Sequence, residues 1–169
     1  MTVTQTERLL LRRLDVRDSA FIFELVNEPS WLRYIGDKGV KTLQDAQRYI
    51  EEGPIEMYQR LGFGLYAVEL KENGAPIGIC GLIKRDALVD VDLGFAFLPR
   101  FWTRGYALES ASAVMSYGRS ALGLSRIVAI VSQDNHRSAR LLNKLGFRLE
   151  SSVSLQPDGD ELKLYAAAP

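Results

Sequence analysis

The residues best placed to do chemistry are Pro99-Arg100-Phe101-Trp102-Thr103-Arg104-Gly105-Tyr106-Ala107. An apolar run that alternates like a strand, Val91 to Leu98, leads into them. A helical pattern leads out, with Leu108, Ala111, Met115 and Leu122 on one face and Ala107, Val114 and Ala121 beside them. A strand, a short loop and a helix start make a site for an anion. The first backbone N–H groups of a helix lack intrahelical partners, and the helix dipole places partial positive charge there. Gly105 and Ala107 carry little side chain, so a phosphate could approach the backbone, and Arg100 and Arg104 add positive charge. The same stretch also fits a plain strand–helix connection with a glycine for tightness.

Few other residues compete for a chemical role. Cys80 is the single cysteine and His136 the single histidine, which excludes a disulfide framework and argues against Cys- or His-based metal sites. Cys80 lies in an apolar run and reads as a buried, inert thiol. A Ser-His-Asp triad would need His136 as its base. Twenty-one Lys and Arg balance 21 Asp and Glu, so the charge suggests neither a nucleic-acid partner nor an anionic membrane. The polar start, Met1 to Gln5, and the lack of a membrane-length apolar run lead to the expectation of a cytoplasmic protein without metal. At 169 residues, 1–169 reads as a single domain with a sizeable core.

The elements around the loop follow from hydrophobic period and turn chemistry. Glu7 to Leu14 reads as a strand, and Asp15 or Asp18 can cap a helix that stops near Asn27-Glu28-Pro29. Pro29 to Gly39 predicts a helical turn and a loop holding Trp31, Tyr34 and Ile35. Thr42 begins a helix predicted to break at Gly53-Pro54 and to resume from Ile55 to Leu61. From Gly64 the period becomes two. Strands over Gly64–Leu70, Ala75–Ile83 and Val89–Leu98 suit an antiparallel meander with an Asn73-Gly74 turn. The long helix ends near Gly123. Arg126 to Val131 then suits a buried strand reached by a parallel crossover. Asn135 starts a helix that stops at Gly146, and Phe147–Leu155 pairs with Glu161–Ala167. The order is β α α β β β α β α β β, an α/β (α+β) domain.

Two segments together carry a resemblance. Trp102-Thr103-Arg104-Gly105-Tyr106-Ala107 matches a Gln/Arg-x-x-Gly-x-Gly/Ala acyl-CoA loop at Gly105 and Ala107. Asn135-His136-Arg137-Ser138-Ala139-Arg140-Leu141-Leu142-Asn143-Lys144-Leu145-Gly146-Phe147 is similar to N-x-x-S-x-x-L-x-x-K-x-G-F. With this element order, the chain resembles the GNAT N-acetyltransferase superfamily. Glu7-Arg8-Leu9-Leu10-Leu11-Arg12 resembles the branch of ribosomal-protein N-terminal acetyltransferases. The resemblance implies a mixed central sheet of about seven strands, mostly antiparallel with a splayed parallel pair, flanked by helices. It departs at Trp102, where Gln or Arg is usual, at Thr103, often Gly, and at Leu142, where many members carry a proton-donating Tyr.

The resemblance implies acetyl-CoA as cosubstrate and direct acetyl transfer to a primary amine. The amides of Thr103, Arg104, Gly105, Tyr106, Ala107 and Leu108 would hold the pyrophosphate. Phe95, Ala96 and Phe97 would pair with the pantetheine arm as an added strand does, with the Phe97 N–H as oxyanion donor. Asn135, Ser138 and Leu142 stand at i, i+3 and i+7 on one helix face. Asn135 would bind cofactor or water, and Ser138 would serve the departing thiolate. Their plainer roles are a helix cap and a hydroxyl bonded to its own helix. Asp92 is the carboxylate for the amine proton, or else a solvated strand-end charge. Glu150 is a weaker choice and His136 a surface residue. Trp31, Arg33 and Tyr34 would border the acceptor or cap the core.

An α-amino group titrates near ~8 and a lysine near ~10.4, so far more of the former is neutral at pH 7. A site without a strong base therefore suits a peptide or protein N-terminus, or a small-molecule amine. The expected partners are acetyl-CoA and that amine, with no nucleic acid or membrane, in a monomer or homodimer. A non-catalytic acyl-CoA-binding sensor is the alternative reading. A nucleotide enzyme ranks below both, because no Gly-Lys-Ser/Thr or G-x-G-x-x-G run is present.

Overall fold

The computed structural model describes residues 1–168. Its eight strands are β1 (Thr2–Gln5), β2 (Leu9–Arg13), β3 (Leu65–Leu70), β4 (Pro76–Ile83), β5 (Asp92–Phe97), β6 (Ile127–Ser132), β7 (Arg148–Val153) and β8 (Leu162–Ala167). They form one sheet in the order β1-β2-β3-β4-β5-β6-β8-β7. All neighbours are antiparallel except β5 and β6, which run parallel. The strand beyond the expected seven is β1. Its polar residues hide it, and the chain reverses at Thr6, whose hydroxyl accepts the Leu9 N–H at 3.0 Å.

Six α-helices flank the sheet: α1 (Ser19–Val26), α2 (Pro29–Tyr34), α3 (Leu43–Ile50), α4 (Glu56–Leu61), α5 (Tyr106–Ser120) and α6 (His136–Lys144). The expected break at Gly53-Pro54 does not occur. A π-helical segment, Glu51–Ile55, joins α3 to α4 with Pro54 inside it. Pro54 has no N–H, and its ring would crowd the carbonyl one turn back. The wider turn relieves both problems without ending the helix.

Strand alternation sends neighbouring side chains to opposite layers. On one face α5 lies over β4 and β5 and buries Ala111, Val114 and Met115 with Tyr66, Val68, Cys80 and Leu82. On the other, α1 and α3 bury Phe21, Ile22, Leu25, Ala46 and Ile50 with Ala67, Ile79 and Leu98. Each such Leu or Ile contributes about 1.5–3 kcal/mol by leaving water. Cutting Leu82 to alanine would cost roughly 2–5 kcal/mol. Cys80 is fully buried, and burial pushes its thiol up to about 12, so it is a core atom and not a nucleophile.

Gly78 of β4 holds the end of β5 in place. It pairs with Phe97, and a Cβ there would sit 2.4 Å from the Phe97 ring and 2.6 Å from the Ala96 carbonyl. Only glycine lets the two strands approach this closely where the sheet opens.

Candidate active site

The sheet opens between β5 and β6. Their register contains one pair, Asp92 opposite Val128, with the Val128 N–H donating to the Val91 carbonyl at 3.0 Å. Beyond that pair lies a cleft of about 970 Å³ bounded by both strands, the start of α5, α6 and the segment from α2 to α4. Leu98 donates its N–H to the Ile77 carbonyl at 3.0 Å. Antiparallel alternation then turns the backbones of Ala96 and Gly94 toward β4, and those of Phe95 and Phe97 into the opening. The Phe97 carbonyl accepts the Trp102 indole N–H at 2.8 Å. The N–H groups of Phe95 and Phe97 face a gap with no strand to pair with. Ala96 corrects an expectation: it lines the cleft, but its backbone pairs with Ile79 of β4 and is not free to bind another chain.

At one end of the cleft stands the N-terminus of α5. Thr42 caps α3 by accepting the Asp45 N–H at 3.0 Å, and Asn135 caps α6 by accepting the Ser138 N–H at 3.2 Å. No side chain caps α5, where Gly105 occupies the cap position at φ 83°. Thr103 is also left-handed, at φ 64°, which costs a non-glycine residue about 1–2 kcal/mol. The amides of Tyr106, Ala107 and Leu108 therefore begin the helix without a partner on a face that lines the cleft. Arg8 braces this turn. Its Nε bonds Glu109 at 2.8 Å, its Nη1 bonds the Arg104 carbonyl at 3.0 Å, and its guanidinium lies 4.4 Å from the Tyr106 ring centroid. Burial works against the Glu109 charge, but bonds from Thr6 and Arg8 hold this carboxyl below its usual range.

Neither arginine expected to add charge at this turn lines the cleft. Arg100 turns away to Glu24, at 2.8 Å, and Arg104 does not line the cleft. Helix α6 supplies Arg137, Arg140 and Lys144 instead, and Arg137 lies 4.5 Å over the Trp102 ring. Their i, i+3, i+7 spacing was visible in the sequence as a cationic stripe. Trp102, at the position where Gln or Arg is usual, thus joins the loop to the end of β5 and supports a cation.

Farther in, Asp92 and Ser138 line the same cleft. Asp92 is 1% exposed, not the solvated strand-end carboxylate that its sequence context also allowed. Burial pushes its carboxyl up to about 6, against the opposing pull of Arg85 and of Lys84. Arg85 Nε lies 3.2 Å from Asp92 Oδ1. Ser138 makes no side-chain hydrogen bond among the described residues, so its hydroxyl is not tied to its own helix. Leu142 is fully buried beneath them.

Trp31 and Tyr34 line the cleft, with Trp31 also buried in the layer beneath α1 and α3. Arg33 does not line it. It pairs with Asp134 at 2.9 Å and lies over the Tyr34 ring, pinning α2 to the β6–α6 turn. Ser132 reinforces that link by donating to the Tyr34 carbonyl at 2.8 Å. His136 is exposed at the rim. Glu150 is bound to Arg126, and Asp90 shares that guanidinium at 2.9 Å. Sequence reasoning missed Arg85, Lys38 and Tyr49, which line the same cleft as Asp92. They come from three separate connections and helices, so no motif joins them.

A parallel pair parted beside an uncapped helix defines an α/β fold of the acetyltransferase class. The profile of the acetyltransferase (GNAT) domain matches residues 8–148, and the chain belongs to that family of enzymes. It is 34% identical over 150 residues to the uncharacterized N-acetyltransferase YoaA of Bacillus subtilis (strain 168), covering 88% of this chain and 84% of that one. An acetyltransferase from Agrobacterium tumefaciens str. C58 superposes with a TM-score of 0.82 at 26% identity, over 100% of this chain and 95% of its own. RimL, a ribosomal L7/L12 alpha-N-protein acetyltransferase solved with coenzyme A, shares the fold with a TM-score of 0.83 at 19% identity, over 99% of this chain and 98% of its own. No helix among the described residues is long and apolar enough to cross a membrane.

Proposed function

We propose that this chain moves acetyl from acetyl-CoA directly to a primary amine, a peptide N-terminus or a small-molecule amine, within a ternary complex. The observation that carries the reading is one cleft with an uncapped α5 at one end and the buried Asp92 carboxylate farther in. The amides from Thr103 to Leu108 receive the pyrophosphate, with charge supplied by Arg137 and Arg140. The free N–H groups of Phe95 and Phe97 meet the pantetheine arm, and that of Phe97 polarises the thioester carbonyl. Asn135 retains its side-chain N–H₂ for cofactor or water while its oxygen caps α6.

Two protons must move. Asp92 takes the one leaving the amine, directly or through a water. A carboxyl at about 6 is mostly ionised at pH 7, yet more basic than an ordinary aspartate. Drawing a proton from an α-ammonium of pKa ~8 costs it about 3 kcal/mol, whereas a lysine near ~10.4 costs about 6 kcal/mol. This favours the less basic amine. Ser138 donates a hydrogen bond to the departing thiolate. Trp31 and Tyr34 form an aromatic wall beside the acceptor, and Arg33 holds that wall through Asp134.

RimL and the spermidine N(1)-acetyltransferase of Escherichia coli (strain K12), which is 22% identical over 85% of this chain and 74% of its own, are both named for amine acetylation. The test is thiol release from acetyl-CoA over a panel of peptide N-termini, lysine side chains and small amines. Turnover with N-termini or small amines ahead of lysine supports the proposal. Binding of acetyl-CoA without turnover of any amine would instead favour a non-catalytic sensor.

A further inference from the structure

Arg85 commits only part of its guanidinium to Asp92. Its Nε lies 3.2 and 3.4 Å from the two carboxylate oxygens, and its terminal nitrogens donate no hydrogen bond among the described residues. The side chain remains 34% exposed and lines the cleft. Lys38, on the connection after α2, lines the same cleft and makes no ion pair among the described residues. The residue as a whole is exposed, but partial desolvation of its ammonium and the charge of Arg85 both lower its pKa, which places the two cations near enough to repel. Of the other carboxylates lining the cleft, Asp134 is taken by Arg33, and Glu28 lies on the side of Arg100. The Asp92 side of the cleft therefore holds two cations, Arg85 and Lys38, against the single carboxylate of Asp92.

Neighbouring donors repeat the preference. Trp31 also lines the cleft, and its indole N–H is buried without a partner among the described residues. The Tyr49 hydroxyl, also on the cleft, is held protonated by burial against the pull of Arg85. A guanidinium, an ammonium, an indole N–H and a phenol are all donors, and the indole and phenol are largely desolvated. Such a set suits an oxygen anion and opposes a second positive charge.

We propose that the acceptor amine carries a carboxylate, held by the terminal nitrogens of Arg85 together with Lys38. This rests on the amine-acetylating reading above and narrows its substrate class. Arg85 touches Asp92, so the amine beside Asp92 and the carboxylate on Arg85 sit within a few ångströms of each other. That spacing fits one to three carbons between nitrogen and carboxylate, as in an amino acid or, with the less basic amine, a peptide whose N-terminal residue is aspartate or glutamate. A linear polyamine would place its second cation where the protein already has an excess.

The experiment compares acetylation of glycine, β-alanine and γ-aminobutyrate with their carboxamides and with spermidine. Rates are referred to the concentration of neutral amine, because removing the carboxylate changes the amine pKa. The expected result is a kcat/KM at least tenfold higher for one of the acids than for its amide, carried mainly by KM, with spermidine the poorest. Lys38→Met should collapse that ratio, Lys38→Arg should restore it, and Lys71→Met, in the exposed turn between β3 and β4, should leave it alone. Equal rates for acids and amides, or a Lys38→Met variant that keeps the ratio, would overturn the inference while leaving amine acetylation intact. No turnover of any amine would overturn both.

Discussion

Arg85 meets Asp92 edge-on through one nitrogen, Nε at 3.2 Å, and the two side chains differ sharply in burial: that of Asp92 is 1% exposed and that of Arg85 34%. A charge partner this close ordinarily drives a carboxyl down, yet this one rises to about 6 because burial outweighs Arg85. With rates referred to neutral amine, the expected consequence is a kcat/KM that falls below about pH 6 as Asp92 takes up a proton. Arg85→Met removes an opposing influence, so the acid limb should move to higher pH. Asp92→Asn should lower kcat by roughly 10²-fold or more and flatten that limb. Initial rates from pH 5 to 9 check all three. An acid limb unchanged in Asp92→Asn would assign it to another group.

The same shift has a signature in stability. The folded-state value of Asp92 lies above its ordinary 3.8, so between those values the native state binds more protons than the unfolded chain. The native preference for the protonated form is fully present below about pH 3.8 and is lost as pH rises through about 6. Relative to Asp92→Asn, the protein should lose about 3 kcal/mol across that window, an upper figure for a shift near two units. Urea denaturation of both proteins at pH 4, 5, 6 and 7 measures the difference. A wild type that gains stability relative to Asp92→Asn as pH rises would reverse the assignment.

The elements were legible because local chemistry agrees with tertiary structure over most of the chain. Thr42 and Asn135 cap helices where the sequence places them, and Gly146 ends α6 at φ 90°. The parallel crossover to Ile127–Ser132 follows from the long helix before it. Pro54 misled, since a proline in a helical pattern usually breaks the helix, and a π turn is not written in the hydrophobic period. In the site, Gly105, Phe97 and Asp92 were visible as residue types at a strand end and a helix start. Their partners were not. Arg8 and Glu109 are 101 positions apart, and Arg100 finds Glu24 across 76. A surface arginine's choice of partner depends on which elements the fold sets side by side.

Arg8 supplies a test of the α5 turn that leaves the turn's own residues untouched. Half-exposed, it adds only about 1 kcal/mol to stability through Glu109. Its larger effect is to neutralise a carboxylate in the first turn of the helix where phosphate is proposed to bind. Arg8→Ala should weaken CoA roughly tenfold, with the loss greatest at low ionic strength. Adding Glu109→Gln should recover part of that loss by removing the exposed charge. Calorimetric titration of CoA into the wild type and both variants decides it. Equal Kd values would place the phosphates away from Gly105.

Asn135 offers a separation of two roles carried by one side chain. Its oxygen accepts the Ser138 N–H at 3.2 Å, so Asn135→Ala loses a helix cap worth about 1 kcal/mol along with any contact to cofactor. Aspartate caps as well as asparagine does but has no N–H₂ to donate. Asn135→Asp should therefore keep the melting temperature within a degree or two while weakening acetyl-CoA, since it also brings a negative charge toward the thioester arm. Ser138→Ala, on the same helix, should lower kcat several-fold with little change in stability, because its hydroxyl bonds no other group among the described residues. Thermal unfolding and single-turnover rates measured side by side distinguish cap from ligand contact. An Asn135→Asp variant that binds acetyl-CoA as the wild type does would reduce Asn135 to its structural role.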